Sequence, residues 1–208
     1  MATDCGFPND VENWAKQKGH QVLSSYQDKN DYIIEMIKGS KPVEDASPYA
    51  KGKDVTIVLM SGEYDKAMAA LIIANGARAY GHNVSIFCTF WGLTLLKNGK
   101  KITDPNKSFL SRMFKKVMPS KRESMPISSF NMGGLGRKLM KDIMKEKNVD
   151  SLDTLYDKAI KNDINFIACT MSMDVMGVEK EELDKNVELG GIGTYIAKSD
   201  DATITLFI

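Results

Sequence analysis

The run at residues 55–90, VTIVLMSGEYDKAMAALIIANGARAYGHNVSIFCTF, leaves the chain few ways to fold. Residues 55–60 form an apolar stretch too short for a helix, closed by the turn Ser61-Gly62-Glu63. Residues 64–80 then carry Ala, Met, Leu and Ile on most of a helical surface, a pattern that predicts burial on several sides. Gly81 stops that helix, and a second apolar strand follows at 84–90. Strand, helix and strand in under about forty residues make a βαβ unit, whose two strands are parallel and whose crossover is right-handed. A parallel sheet needs helices on both faces, so the segment 54–208 is expected to be an α/β domain.

The remainder of that segment fits the expectation in pieces. A helix is predicted at 153–161 with Ser151 as its N-cap, and a buried strand at 164–168. Residues 179–183 read as a short acidic helical turn. Gly190-Gly191-Ile192-Gly193 opens a last helix to about 198, and 203–208 closes the sheet with β-branched alternation. Between Leu95 and Lys147 the pattern breaks at Pro105, Pro119 and Pro126, and about fourteen Lys/Arg stand against Asp104, Glu123, Asp142 and Glu146. Methionines recur there at 113, 118, 125, 132, 140 and 144. Asn131–Gly136 is a glycine-rich turn running into a helix at 137–147. The stretch is either an adaptable docking surface, to which methionine is suited, or an amphipathic cover with lysines outward. Nucleic-acid binding is a weaker third reading, because no aromatic interleaving accompanies the charge.

The first forty residues form a separate unit. Asp10 caps a predicted helix that places Val11, Trp14 and Ala15 on one face and stops at Gly19. The apolar-rich runs 21–26 and 32–37, joined by Asp28-Lys29-Asn30-Asp31, read as a β-hairpin. Residues 39–53, with Pro42 and Pro48 and no periodicity, read as a linker.

Chemistry concentrates in NFIACTMSMDVMG at 165–177. The strand delivers Cys169 to its carboxyl end, where a new helix begins at Thr170, Met171 and Ser172. Free N–H groups and the helix dipole favour a thiolate there, and open parallel sheets place their chemistry at that edge. The other reading is a buried structural cysteine. Cys88, at the end of the second strand, is either a resolving thiol or a small apolar core residue. Cys5 lies near the terminus and says little. His20 and His82 are isolated in sequence, so a Cys–His nucleophile is disfavoured, and thiol exchange or sulfane-sulfur transfer suits Cys169 better.

Three scattered cysteines make no disulfide framework and no C-x-x-C zinc pair, so neither a metal nor a cofactor is expected. Gly133–Gly136 and Gly190–Gly193 each sit before a helix, but neither makes a dinucleotide fingerprint. Ser61-Gly62-Glu63 lacks the Lys-Ser/Thr of a phosphate loop. With 43% hydrophobic and 26% charged residues, a formal net charge of +1, and neither a membrane span nor a signal peptide, the chain is expected to be cytoplasmic, with no membrane and no nucleic-acid partner.

Residues 55–92, the NMGGLG run at 131–136, IACTMSMDVMG at 167–177 and VELGGIGT at 187–194 resemble the DsrE/DsrF/DsrH-like family, in its methionine-rich branch. The resemblance covers about 54–208. It implies a flavodoxin-like α/β sandwich that assembles into homo-oligomers. It also implies a sulfur-relay activity in which sulfane sulfur travels as a cysteine persulfide, with Cys169 at the position of the reactive cysteine. Cys88 falls where relatives often carry an apolar residue. Residues 2–38 resemble the second half of a TusA/SirA-like sulfur carrier whose Cys-Pro-x-Pro motif would lie upstream of Met1, so the chain is expected to begin inside a longer fusion. The partners so implied are TusA-like and rhodanese-like sulfur donors or acceptors. The alternatives are an oligomeric scaffold for sulfurtransferases, with Cys169 inert, and a flavin- or nucleotide-binding flavodoxin-like domain.

Overall fold

The fold follows from a computed structural model that describes residues 8, 11, 12, 15, 19–29, 31–39, 54–102, 109–200 and 202–208. Contacts divide the chain into two units, Met1–Ala50 with Asp142–Val149, and Lys51–Lys141 with Asp150–Ile208. In the first unit, β1 (Gln21–Asp28) pairs antiparallel with β2 (Asp31–Ile37), as the polar turn between two apolar runs requires, with a bulge between Val22 and Ser24. Lys29 takes the left-handed conformation at the tip. Most of the predicted helix before the hairpin, with Asp10, Trp14 and Cys5, lies outside the described residues, as does the predicted linker beyond Gly39.

The second unit is a five-stranded sheet, every neighbouring pair parallel, in the order β6-β5-β4-β3-β7. Its strands are β3 (Asp54–Leu59), β4 (Asn83–Cys88), β5 (Asn165–Cys169), β6 (Val187–Gly190) and β7 (Ala202–Phe207). The helices are α1 (Tyr64–Ala79), α2 (Phe109–Val117), α3 (Leu135–Glu146, whose residues from Asp142 on are counted with the first unit), α4 (Leu152–Lys161), α5 (Thr170–Met176) and α6 (Ile192–Asp200). This is the parallel α/β sheet that the βαβ unit predicts, in the flavodoxin-like class that the family resemblance implies. The chain steps outward from β3 through β4 and β5 to β6, then crosses back to lay β7 on the other side of β3.

The central strands are apolar on both faces because helices cover both. On one face α1 and α4 pack together, with Ala67, Leu71 and Ala74 of α1 and Leu152 and Ala159 of α4 wholly buried. Burial of a leucine-sized side chain contributes about 1.5–3 kcal/mol. Polar ties fix the two helices. Asn75 Nδ2 donates to the carbonyls of Leu71 (2.9 Å) and Leu155 (3.1 Å), and the Leu152 N–H donates to the Tyr64 hydroxyl (3.3 Å). The Ser151 hydroxyl accepts from the Thr154 N–H at 3.2 Å, the predicted cap.

Burial of α1 on several sides does not occur. Its buried residues lie toward the sheet and α4, while Ile72 and Ile73 remain 51% and 41% exposed. Apolar residues stand on both sides of this helix, Ala67, Ala70 and Ala74 buried and Ile72 and Ile73 exposed, so apolar content alone does not mark a covered side. The sequence pattern also left β6, α2 and a 3₁₀ turn at Phe90–Leu96 unmarked.

Candidate functional site

The carboxyl ends of the parallel strands bring four short segments to one edge of the sheet, where open α/β sheets carry their chemistry. After β4 the chain folds back across β3. The Thr89 N–H donates to the Leu59 carbonyl at 3.0 Å, and the Gly92 N–H to the Met60 carbonyl at 2.9 Å. Phe90 takes a positive φ of 46° in this reversal. A Cβ on Gly92 would lie 2.0 Å from the Leu59 carbonyl oxygen, so only glycine allows the approach.

Cys169 is the last residue of β5 and the N-cap of α5, with φ −69° and ψ 112°. Its side chain makes no cap hydrogen bond, and the residue is 4% exposed. The thiol joins an apolar cluster with Val58, Phe87 and Ile167, against which Tyr195 of α6 packs. The Tyr195 and Phe87 rings lie 5.4 Å apart. Gly190 of β6 pairs with Cys169, and a Cβ there would meet Ile167 Cγ2 at 2.9 Å. Its missing side chain lets β6 close against the cysteine strand.

The three residues after Cys169 have distinct surroundings. The Thr170 hydroxyl reaches the Gly190 carbonyl at 3.5 Å, and Met171 is 55% exposed. Ser172 is wholly buried, its hydroxyl 2.7 Å from that of Thr89, which is itself buried. This bond ties the first turn of α5 to the end of β4. Gly177 ends α5 in the left-handed conformation with φ 69°.

Cys88 does not share this environment. Phe87 lies in the Cys169 cluster, and alternation along β4 turns the next residue to the other face of the sheet. Cys88 is wholly buried there, and burial pushes its thiol up out of the ordinary cysteine range. The two thiols thus sit at neighbouring strand ends but on opposite faces. That arrangement suits the small-core-residue reading of Cys88 better than the resolving-thiol reading.

The first glycine-rich turn serves chain reversal at Gly133 and Gly134 and close packing at Gly136, and the second close packing at Gly190. Gly133 and Gly134 have φ of 67° and 101°, and a Cβ on Gly136 would lie 2.0 Å from the Phe130 carbonyl oxygen. The methionines divide between the two readings of their stretch. Met118 and Met125 are buried, while Met113 and Met132 are 47% and 71% exposed. The sequence reading missed the Thr89–Ser172 bond and the cover provided by Tyr195. Thr89 at a strand end was the available signal for the first; nothing local signals the second. Among the described residues, no group of three or more His, Cys, Asp or Glu is placed to hold a metal ion, and no helix is long and apolar enough to cross a membrane.

Residues 51–207 match the DsrE/DsrF/DrsH-like family. The chain belongs to this family. It is 44% identical over 156 residues to the uncharacterized protein YrkE of Bacillus subtilis (strain 168), covering 75% of this chain and 97% of that one. It is 29% identical over 161 residues to the sulfur carrier protein DsrE2 of Allochromatium vinosum, covering 75% of this chain and 98% of that one. Among solved structures, the ychN protein from E. coli aligns with 75% of this chain and 99% of its own at a TM-score of 0.43 and 10% identity.

Proposed function

We propose that this DsrE-family chain is a sulfur-relay protein that carries sulfane sulfur as a persulfide on Cys169. The observation that carries the reading is the place of Cys169. It is the last residue of a central parallel strand and the N-cap of a helix, with no hydrogen bond from its own side chain to that cap. The likeness to a named sulfur carrier protein supports it. In the step proposed, the Cys169 thiolate attacks the outer sulfur of a donor persulfide, R–S–S⁻. The new S–S bond forms on Cys169 as the donor bond breaks, and the donor leaves as the thiolate R–S⁻. Sulfur oxidation states only exchange places, so no outside oxidant is needed. In this reading the first-turn N–H groups of Thr170, Met171 and Ser172 stabilise the negative charge of the thiolate and the persulfide. Cys88 takes no part.

The donors and acceptors proposed are TusA-like or rhodanese-like proteins, and the setting a reducing cytoplasm. Homo-oligomer formation is supported by the exposed Ile72 and Ile73 on α1 and by the open edge of β7, where Phe207 is 69% exposed. The hairpin β1–β2 supports reading the first 38 residues as a TusA-like half ahead of a DsrE-like domain at 54–208.

Mass spectrometry after polysulfide loading tests this reading. The expected result is a reductant-sensitive sulfur adduct on the Cys169 peptide, absent from Cys169→Ser. An adduct of equal yield in the variant refutes the assignment. One observation favours a second reading, an oligomeric scaffold with an inert thiol: Cys169 is only 4% exposed. Alkylation of Cys169 only after denaturation, with no sulfur adduct on loading, supports the scaffold.

A further inference from the structure

One cavity of the α/β unit, about 520 Å³, does not include Cys169 among its walls. It opens between Lys97, just after the 3₁₀ turn at Phe90–Leu96, the helix α2 and the chain just after α5. Its volume falls in the range of small-molecule sites. Lys97, Lys101, Arg112 and Lys116 bring positive charge to it, and Phe109, Met113 and Met118 give it apolar walls.

Two carboxylates, Glu179 and Glu182, also line the cavity. Glu182 is wholly buried and fully engaged. Its Oε1 accepts from the Ile102 N–H at 3.1 Å, and its Oε2 accepts from the Glu179 N–H at 3.0 Å and pairs with Lys115 Nζ at 2.8 Å. Lys115 also donates to the Ile102 carbonyl. Burial works to raise the Glu182 carboxyl, and these hydrogen bonds together outweigh it and hold the group below its ordinary range. Its oxygens are therefore committed elsewhere.

Lys97 is left over. It is only 3% exposed, yet its ammonium makes no hydrogen bond or ion pair with any described residue. Burial is the main influence pulling it below the ordinary lysine range; Glu182 opposes, and Lys115 and Lys101 add to it. A buried ammonium without a partner is costly, and an anion supplied from solution removes that cost. Among the described residues, such a group at the wall of a cavity leaves a site without its counter-charge.

We propose that this cavity binds a small organic polyanion, with a phosphate or sulfonate group on Lys97 and an apolar body against Phe109, Met113 and Met118. Arg112, with its planar fork of donors, suits a second anionic group at the mouth. The site stands independently of the sulfur-relay reading.

Calorimetric titration of the full chain with naphthalene-1,5-disulfonate tests the proposal. Inorganic sulfate serves as charge without an apolar body. The expected result is saturable one-to-one binding at about 1 mM or tighter, at least about tenfold tighter than sulfate. Lys97→Met, which removes the charge but keeps the apolar stem, weakens disulfonate binding about tenfold or more, and Lys198→Met, an exposed lysine on α6, leaves it unchanged. Arg112→Met repeats the test at the mouth if Lys97→Met does not fold. No saturable binding by the native chain overturns the proposal, as does equal weakening by Lys198→Met. Binding of sulfate as tight as that of the disulfonate overturns the organic part of it.

Discussion

The bond between Thr89 and Ser172 governs how firmly the first turn of α5, and with it Cys169, is held. Both hydroxyls are buried, Ser172 wholly and Thr89 at 8% exposure, and they lie 2.7 Å apart. Thr89→Val replaces the hydroxyl with a methyl of similar size and leaves the Ser172 hydroxyl without this partner. The cost of orphaning a buried hydroxyl is about 1–3 kcal/mol. Ser172→Ala orphans Thr89 and costs about the same or slightly less, since Thr89 keeps a sliver of solvent contact. The double variant leaves no orphan, so its loss is smaller than the sum of the two by about 1–2 kcal/mol. Urea unfolding in a Trp14→Phe background reads this from the fluorescence of Trp91, two residues from Thr89. The same loosening raises native-state alkylation of Cys169, followed by peptide mass spectrometry, about 5–150-fold. Single variants within about 0.5 kcal/mol of the parent, or a double variant that equals the sum, refute the reasoning.

Gly92→Ala drives a methyl to within 2.0 Å of the Leu59 carbonyl oxygen, so the chain reversal after β4 must open. Expected are a loss of about 2 kcal/mol or more in urea and a shift in Trp91 emission. Tyr195→Ala uncovers the Cys169 cluster and is expected to speed Cys169 alkylation at least as much as Thr89→Val, while Cys88 stays unlabelled until global unfolding; early labelling of Cys88 would contradict its placement. The carboxyls of Asp153 and Glu123 share a hydrogen bond; burial, then that bond and the charge of Glu123, push Asp153 up to about 6 from its ordinary 3.8, against Arg122. Since the folded value lies above the unfolded one, the stability it contributes is full below about pH 4 and is lost as pH rises through about 6. Glu123, lowered mainly by the bond to Asp153, works in the opposite sense below its ordinary value. Urea midpoints between pH 5 and 8 should therefore carry a step near 6 that Asp153→Asn removes; an unchanged step excludes the pair as its source.

The fold was legible where one residue pattern admitted one structure. The apolar strand, helix and strand at 55–90 required parallel pairing, and Ser151 and Gly81 marked a helix start and a helix end by side-chain and backbone chemistry that acts locally. The outer side of α1 was misread because Ala, Ile and Gly read alike in a buried and an exposed stripe. Whether Ile72 is covered depends on which element arrives from elsewhere in the chain. The helix α2 went unmarked although Phe109, Leu110, Met113, Phe114 and Val117 repeat at helical spacing, because the flanking prolines and lysines made the whole stretch look irregular. β6, four residues long and containing Glu188 and Gly190, has too little apolar pattern to announce a strand. It pairs because β5 offers it an edge.

The site shows the same division between local and non-local information. That Cys169 ends a strand and starts a helix could be read from NFIACTMSMD, since the switch from apolar to small polar residues is local. That Phe87 and Cys88 point opposite ways could also be read, since alternation is a property of one strand. Which of the two shares a face with Cys169 could not. It depends on register: Phe87 pairs with Ile167, and Cys169, two residues on, returns to that face. A slip of one residue between β4 and β5 would have placed Cys88 beside Cys169 and made a thiol pair of them. The register is fixed by the apolar side chains of both faces together, so the separation of the two cysteines is set by core residues that carry no chemistry of their own.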